Sequence, residues 1–310
     1  MEILRLIIPA AACFSVLWQT SCSESTTSTL TSGLSNYYVR GAVTKLDFNK
    51  SLASVKVLGF GRGLSEKLSL NSKSAYDFHI QPGDLKLLDK KKVFRATAHE
   101  IYSSDLGKIF SLSGVWPDEK SERIRVNNVN RLLRRDTLSM GEDMIRMVGD
   151  FVPPFALYDQ NGQVVTTDYF DGSITVVNFI FTRCSVAEMC PASTLKMKNL
   201  QELAAKTKIP YVKFLSITLD PQYDSPGVLK SYALGYNLNE NNFKLGTAPK
   251  SVINDLTRQF GIYRKNEKNQ PLDHTMRTMI VNQRRQIVYQ VPGKGWSVED
   301  FLSRLTSGTM

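Results

Sequence analysis

Residues 173–191 read SITVVNFIFTRCSVAEMCP, and this stretch decides the fold. It opens on a continuous apolar run rich in β-branched side chains, without the alternation of a strand that faces water. Such a run is typical of a strand that is buried on both faces of an α/β sheet. Cys184 and Cys190 follow the run directly. The stretch therefore predicts a central strand that leads into a loop carrying two thiols.

The spacing of the two cysteines excludes a site on one regular helix. Five residues separate Cys184 from Cys190, and helical positions six apart lie on different faces, about 9 Å apart along the axis. Pro191 is favoured at the first helical position, which predicts a helix with Cys190 as its N-cap. Residues 185–189 would then fold back between the thiols. A thiol at a helix N-terminus has a lowered pKa, so we expect a populated Cys190 thiolate near neutral pH.

Two thiolates on one loop form a pair of soft donors, which favours Cu(I). The chain has three histidines, and the only one after the cysteines is His274, just before a predicted strand. We expect the start of that strand to lie beside the cysteine loop, so His274 is the candidate third ligand. A zinc site is disfavoured, because three visible ligands leave a tetrahedral set incomplete. A redox pair and two buried small hydrophobic residues remain open at this point.

The pattern on either side of this loop predicts an α/β protein of two domains. Residues 149–310 follow a β-α-β-α, then β-β-α order, which predicts a thioredoxin-like domain. Residues 37–117 contain short alternating strands and predict a small all-β barrel of OB-like type. Residues 118–148 lack a strand pattern and predict a connector, with a short helix near residues 131–147. Three methionines fall at helical spacing there and predict an apolar helix face: Met140, Met144 and Met147.

The N-terminal residues predict export. Residues 6–18 are mostly apolar but too short for a confident spanning helix, which is typical of a signal peptide. A small residue precedes Cys22, as in a bacterial lipoprotein box, so residues 1–22 predict a leader and Cys22 a lipidated anchor. Residues 23–36 are Ser/Thr-rich and predict a flexible tether. Ordinary secretion and an uncleaved anchor remain open, and each predicts a location outside the cytosol, in the bacterial periplasm.

The charge of the chain is strongly basic, with a formal net charge of +10 and a pI near 9.3. The basic residues are scattered, and no basic stripe is interleaved with aromatic side chains. The pattern therefore predicts no nucleic-acid partner. It indicates a solvated basic surface that suits anionic lipid or an acidic partner.

The C-terminal half resembles the Sco/SenC family of copper-binding, thioredoxin-fold proteins. The resemblance rests on segments in family order: GDFVPPFALYDQNGQ, VVNFIFTRC, the second cysteine with its proline, SITLDPQYDSPGVLKSYA and LDHTMRTMIVN. It implies one copper ion, Cu(I) or Cu(II), bound by Cys184, Cys190 and His274. It also implies supporting roles for Asp220 and Asp273 around those ligands.

The family resemblance further implies delivery of copper to the copper-A site of cytochrome c oxidase, or to another copper acceptor. The same cysteines would take part in thiol–disulfide exchange, through a Cys184–Cys190 disulfide and a thioredoxin-like reductant. The chain departs from the family in one respect, because the usual spacing is three residues and here it is five. Met189 beside the second cysteine is expected to pack rather than to ligate.

The predicted barrel faintly resembles the small CusF-like copper-binding barrels. Those barrels use Met, His and Trp, whereas residues 37–117 contain no Met and no Cys, only His79, His99 and Trp116. The barrel is therefore expected to be a docking module or a form that no longer binds metal.

Three interpretations of function remain open. The first is a membrane-tethered copper chaperone or thiol reductase for oxidase assembly. The second is a metal-free thiol–disulfide oxidoreductase or a peroxiredoxin-like enzyme. The sequence speaks against it, because it lacks a Cys-x-x-Cys motif and a peroxidatic pattern before Cys184. The third is a module that senses copper or disulfide state, for which the barrel is the only support.

Overall fold

The computed structural model describes residues 37–68, 75–88, 92–104, 107–265 and 273–307, so the predicted leader, Cys22 and the tether lie outside the described residues. The strands are β1 (Tyr38–Asp47), β2 (Leu52–Phe60), β3 (Ala75–Ile80), β4 (Val93–Ser103), β5 (Gly107–Pro117), β6 (Ala156–Tyr158), β7 (Val164–Thr166), β8 (Ile174–Ile180), β9 (Val212–Thr218), β10 (Phe243–Gly246), β11 (Arg264–Lys265), β12 (Asp273–His274), β13 (Arg277–Val281) and β14 (Ile287–Pro292). The helices are α1 (Arg62–Leu68), α2 (Pro82–Leu85), α3 (Lys120–Ser139), α4 (Cys190–Lys206), α5 (Pro226–Gly235), α6 (Lys250–Gln259) and α7 (Val298–Thr306). Within the described ranges, no helix combines the length and the apolar character needed to cross a bilayer.

Strands β1 to β5 close a barrel in the order β1-β2-β3-β5-β4. Alternate side chains point inward, as on β2, where Ala53, Val55 and Val57 are fully buried. This alternation is what closes a small barrel around a filled interior. The prediction of a small OB-like barrel is confirmed.

Helix α1 lies between two strands of the barrel and buries Leu64 in the barrel core. One local prediction is wrong. The short helix expected at residues 131–147 is the long helix α3, which ends at Ser139 because Met140 adopts an extended backbone.

The methionines therefore do not form a helix face. Met144 and Met147 lie beyond the end of α3, and both side chains are at least half exposed. The buried face of α3 is instead formed by Val126, Asn130, Leu133 and Thr137. Spacing alone could not distinguish a helical turn from the loop that follows it.

The second half is built on a five-stranded sheet in the order β10-β9-β8-β13-β14. Strands β8, β9 and β10 are parallel, and β13 and β14 run antiparallel to their neighbours. The predicted central strand is β8, which is buried at all positions after Ile174. This is a thioredoxin-like sheet, and the predicted fold class, with a barrel before it, is confirmed.

The barrel packs on the second half through a contact between two short stretches of backbone. Helix α2 of the barrel lies so close to α5 that a Cβ on Gly83 would be 2.2 Å from the carbonyl oxygen of Gly227. A Cβ on Gly227 would be 1.9 Å from Oδ1 of Asp84. Nothing larger than glycine fits at either position without displacing the helices.

Asp84 lies at the centre of this contact and is almost fully buried. Burial raises the pKa of Asp84 to about 7, while hydrogen bonds from the backbone N–H groups of Val115 and Gly114 act in the opposite direction. Its Oδ1 atom has no hydrogen-bond partner among the described residues. The neutral carboxyl is therefore the form that this contact favours.

We expect Asp84→Asn to flatten the pH dependence of stability. The carboxyl has a pKa near 3.8 when unfolded and about 7 when folded, so the folded chain binds more protons between these values. The free energy of unfolding then decreases as the pH rises through that window. The variant should match the wild type at pH values near 4 and exceed it above 7 by up to about 4 kcal/mol, since one pKa unit corresponds to about 1.4 kcal/mol. Urea unfolding at both pH values measures this, and parallel profiles for the two proteins would refute it.

Candidate metal centre

The cysteine loop begins where β8 ends and folds back on itself. Two backbone hydrogen bonds close it, from Met189 N to Val186 O at 3.0 Å and from Ala192 N to Ala187 O at 3.1 Å. Cys184 is half-buried at the start of the loop, and Cys190 is fully buried at its end. The five intervening residues therefore form a compact turn, as expected, that brings the two thiols together.

Helix α4 begins at Cys190 itself, one residue earlier than expected, and its N-cap is Met189. The prediction that the helix N-terminus lowers the pKa of Cys190 is wrong for the free thiol. Burial raises the pKa of the Cys190 thiol, and the nearby Cys184 acts in the same direction. In a dry site, desolvation of the anion outweighs the field of the helix N-terminus. Without a bound cation, Cys190 is therefore protonated at neutral pH.

His274 reaches the cysteines from the two-residue strand β12, where it pairs with Arg264 of β11. Its Nδ1 lies 2.8 Å from the backbone carbonyl oxygen of Thr275, and its Nε2 lies 3.4 Å from Sγ of Cys190. A carbonyl oxygen can only accept, so Nδ1 carries the proton, and Nε2 of the neutral ring presents its lone pair to Cys190. The ring of Phe181 packs edge-on against the imidazole, with centroids 5.4 Å apart. The imidazole is thus held in the tautomer of a metal ligand.

The structure brings Cys184, Cys190 and His274 together. Their Sγ and imidazole nitrogen atoms all lie within 4.8 Å of one another, and this is the one group of at least three such ligands in the described part of the chain. Both cysteines are free thiols here. Two sulfur donors and one imidazole suit a soft ion of low coordination number such as Cu(I). They leave a tetrahedral zinc site one ligand short.

The other predicted residues have different places. The carboxylate of Asp220 accepts a hydrogen bond from Nε of Arg183 at 2.7 Å, and the Arg183 guanidinium lies 4.6 Å from the centroid of the Tyr223 ring. Asp220 therefore acts on the loop through Arg183, next to Cys184. The backbone of Asp273 pairs with Lys265 in the β11–β12 ribbon. Met189 is half-buried beside the ligands.

A solvent-accessible cavity of about 500 Å³ opens beside these three candidate ligands. His274 itself forms part of its wall, with mostly apolar neighbours that include Val186, Met189, Tyr263 and Met276. A partner molecule can therefore approach the imidazole from this side, while Cys190 stays covered.

Asp224 lies beside the cysteine loop and was not among the residues predicted from the sequence. It is fully buried and accepts three hydrogen bonds, from N and Oγ1 of Thr182 and from Oγ1 of Thr218. Burial raises the pKa of Asp224 to about 6, and these hydrogen bonds act against that shift. The carboxylate thereby ties the start of the cysteine loop to the end of β9. An aspartate before Ser-Pro is typical of a helix start, so the sequence carried no sign of its burial.

We expect Asp224→Ala to destabilise the fold by about 3 kcal/mol, because it leaves the buried hydroxyl of Thr218 and two partly buried donors of Thr182 without an acceptor. Asp220→Ala is the matched control, since its partner Arg183 is largely exposed, and the loss of such an ion pair costs at most about 1 kcal/mol. Equilibrium unfolding in urea compares the two. Equal losses in both variants would contradict the role assigned to Asp224.

The comparisons with known proteins concern the second half of the chain. The sequence model of the SCO1/SenC family matches residues 145–307. The chain is 31% identical over 147 residues to an SCO2-like protein of Rickettsia prowazekii, and the match covers 46% of this chain and 67% of that protein. It is 34% identical over 92 residues to the SCO1 protein homolog of Bacillus subtilis, covering 30% of this chain and 46% of that protein. Among solved structures, a SCO1/SenC family lipoprotein from Bacillus anthracis aligns with a TM-score of 0.48 and 23% identity, over 53% of this chain and 98% of that one.

Proposed function

Because this chain belongs to the SCO1/SenC family, we propose that it is a copper chaperone that delivers copper to the copper-A site of cytochrome c oxidase or to another copper acceptor. One observation carries the proposal: Cys184, Cys190 and His274 converge from two separate parts of the chain to within 4.8 Å. Two soft thiolates with an imidazole form a site for Cu(I) that a general disulfide reductase does not require.

Copper is the cargo of this site, and the residues determine how it is taken up and released. Binding removes the proton from each thiol, because thiolate is the form that ligates metal. Nε2 of His274 is already unprotonated and directed at Cys190. Cys184 is the most accessible of the three ligands, half-buried on the loop, whereas His274 is only 6% exposed at the wall of the cavity and Cys190 is fully buried. An acceptor's thiolates can therefore displace Cys184 first and Cys190 last.

The two free thiols also favour a second function, reduction of the acceptor's own cysteines. Cys184 and Cys190 would form a disulfide and pass two electrons and two protons to the acceptor's disulfide, which becomes two thiols. A thioredoxin-like reductant would then restore the pair. In this reaction no copper moves, and His274 has no chemical role.

The proposed place of action is the bacterial periplasm, at the membrane surface. It rests on the sequence of residues 1–36, with lipidation of Cys22 as the anchor. Radiolabelled palmitate incorporated into the wild type and not into Cys22→Ser would support this anchor.

The experiment that tests the function mixes the Cu(I)-loaded, reduced chain with a soluble oxidase fragment that carries an empty copper-A site. We expect metal analysis of the separated proteins to find copper on the fragment, and the chain to lose its copper in equal amount. A fragment whose cysteines become reduced while copper stays on the chain would overturn the chaperone function in favour of thiol reduction.

His274→Ala is expected to weaken Cu(II) binding more than Cu(I) binding. The two thiolates alone hold Cu(I), whereas Cu(II) prefers nitrogen donors and depends on the imidazole. Competition titrations with a chelator specific for each oxidation state measure both affinities. Equal losses for the two ions would contradict this preference for Cu(II), and no loss for either ion would contradict the ligand role of His274.

A further inference from the structure

We propose that helix α3 lies on an anionic membrane surface, with its solvent-facing side as the contact. Helix α3 has 20 residues, and at 1.5 Å per residue it extends for about 30 Å. The side opposite its buried residues, called here the outer face of α3, carries seven exposed basic or aliphatic residues: Lys120, Ile124, Arg125, Arg131, Leu132, Arg135 and Leu138. Its other exposed residues are uncharged: Ser121, Asn128 and Ser139.

The outer face of α3 exposes large aliphatic side chains. Ile124 is 48% exposed, Leu132 45% and Leu138 66%. Single exposed leucines are ordinary, but three on one side of a helix that has its own separate buried face are not needed for folding. These side chains gain stability only if another surface covers them.

The same face carries four cations and no acidic side chain. None of Lys120, Arg125, Arg131 and Arg135 forms an ion pair with any residue that the structure describes. The acids of α3 lie on its flanks, and Asp136 there is paired with Arg146. Arg134, by contrast, points toward α6 and pairs with Asp255. The positive charge of the outer face is therefore available to an external anion.

The arrangement favours a bilayer over an acidic protein as the occupant. Cations and aliphatic side chains are interspersed on this face, which fits a flat surface that is charged at the headgroups and apolar beneath them. The stems of arginine and lysine extend along the apolar layer while their charged ends reach the headgroups. The net charge of +10 adds to the attraction. This inference does not depend on the copper site, because α3 supplies none of its ligands.

Vesicle flotation tests the proposal. Residues 35–310 form one compact unit, so this part is used to exclude any contribution from a lipid anchor. We expect it to float with vesicles of phosphatidylcholine and phosphatidylglycerol at low salt, and to remain behind at high salt or with phosphatidylcholine alone.

Two variants assign the binding to α3. Arg131→Glu/Arg135→Glu and Leu132→Ser/Leu138→Ser should each reduce the partition coefficient at least about tenfold. Lys206→Glu/Lys208→Glu is the control, because both lysines are exposed at the end of α4. Its change in net charge equals that of Arg131→Glu/Arg135→Glu. Circular dichroism and copper stoichiometry establish that each variant is folded.

Three results would overturn the proposal. The wild type could fail to float with the anionic vesicles, or the α3 variants could float as well as the wild type. Alternatively, the chain could bind polyglutamate through Arg131 and Arg135 without binding vesicles, which would identify an acidic protein as the occupant.

Discussion

Cys190→Ser is expected to lower the Cu(I) affinity of the reduced chain at least about a thousandfold, or about 4 kcal/mol. Sγ of Cys190 lies 3.4 Å from Nε2 of His274, and the Sγ of Cys184 lies within 4.8 Å of that sulfur and of a ring nitrogen of His274. A serine hydroxyl is a hard donor that does not ionise near neutral pH, and one remaining thiolate with one imidazole is a poor site for Cu(I). Competition with a coloured Cu(I) chelator measures the loss.

Met189→Leu is the matched control in the same loop. It keeps an apolar side chain of similar size beside the ligands and removes only the thioether sulfur. We expect its Cu(I) affinity to equal that of the wild type. Because Cys190 is part of the core, thermal unfolding of Cys190→Ser must show a folded protein. A folded Cys190→Ser that still binds copper tightly would refute the assignment of this ligand.

Gly227→Leu is expected to separate the barrel from the thioredoxin-like half and to lower the free energy of unfolding by at least about 4 kcal/mol. The first atom of any side chain at this position would lie 1.9 Å from Asp84 Oδ1 and 2.7 Å from the backbone nitrogen of Asp84. The backbone of α2 cannot yield as a flexible side chain would, so the contact between α2 and α5 has to open. Urea unfolding and small-angle scattering measure the lost stability and the separation.

Gly235→Leu tests the same chemical change on the same helix. Gly235 is the last residue of α5, and nothing lies within 4 Å of a Cβ placed there. Leucine is a better helix former than glycine, so we expect no loss of stability. Similar losses at both glycines would show that the α2–α5 contact is not what joins the two halves.

Much of the second half of the fold follows from local sequence. The apolar run of β8 and the proline after Cys190 each constrain the chain locally, so the strand is where it was expected and α4 begins within one residue of its expected start. The meeting of His274 with the cysteines could be anticipated only through the order of strands in a thioredoxin-like sheet. Ligands that are 84 residues apart leave no local pattern.

The features that were missed depend on tertiary burial. Asp224 and Asp84 are ordinary turn and helix-start residues in the sequence, and only the packing around them makes them buried acids. The Cys190 pKa was expected to fall, because the helix N-terminus is visible in the sequence and the desolvation of the thiol is not. Helix α3 is long because its buried face packs on β6 and α6. Met144 and Met147 lie beyond its end at Ser139 and are exposed, so their spacing was not a sign of a buried helix face.

The most direct test of the copper site is the number of Cu(I) ions bound by residues 35–310 under anaerobic conditions, first reduced and then oxidised. We expect one tightly bound ion per reduced chain. We expect none once Cys184 and Cys190 are joined in a disulfide, because both sulfur ligands are then lost. A reduced chain that binds no copper, or a disulfide form that keeps it, would contradict the assignment of Cys184, Cys190 and His274 as a copper site.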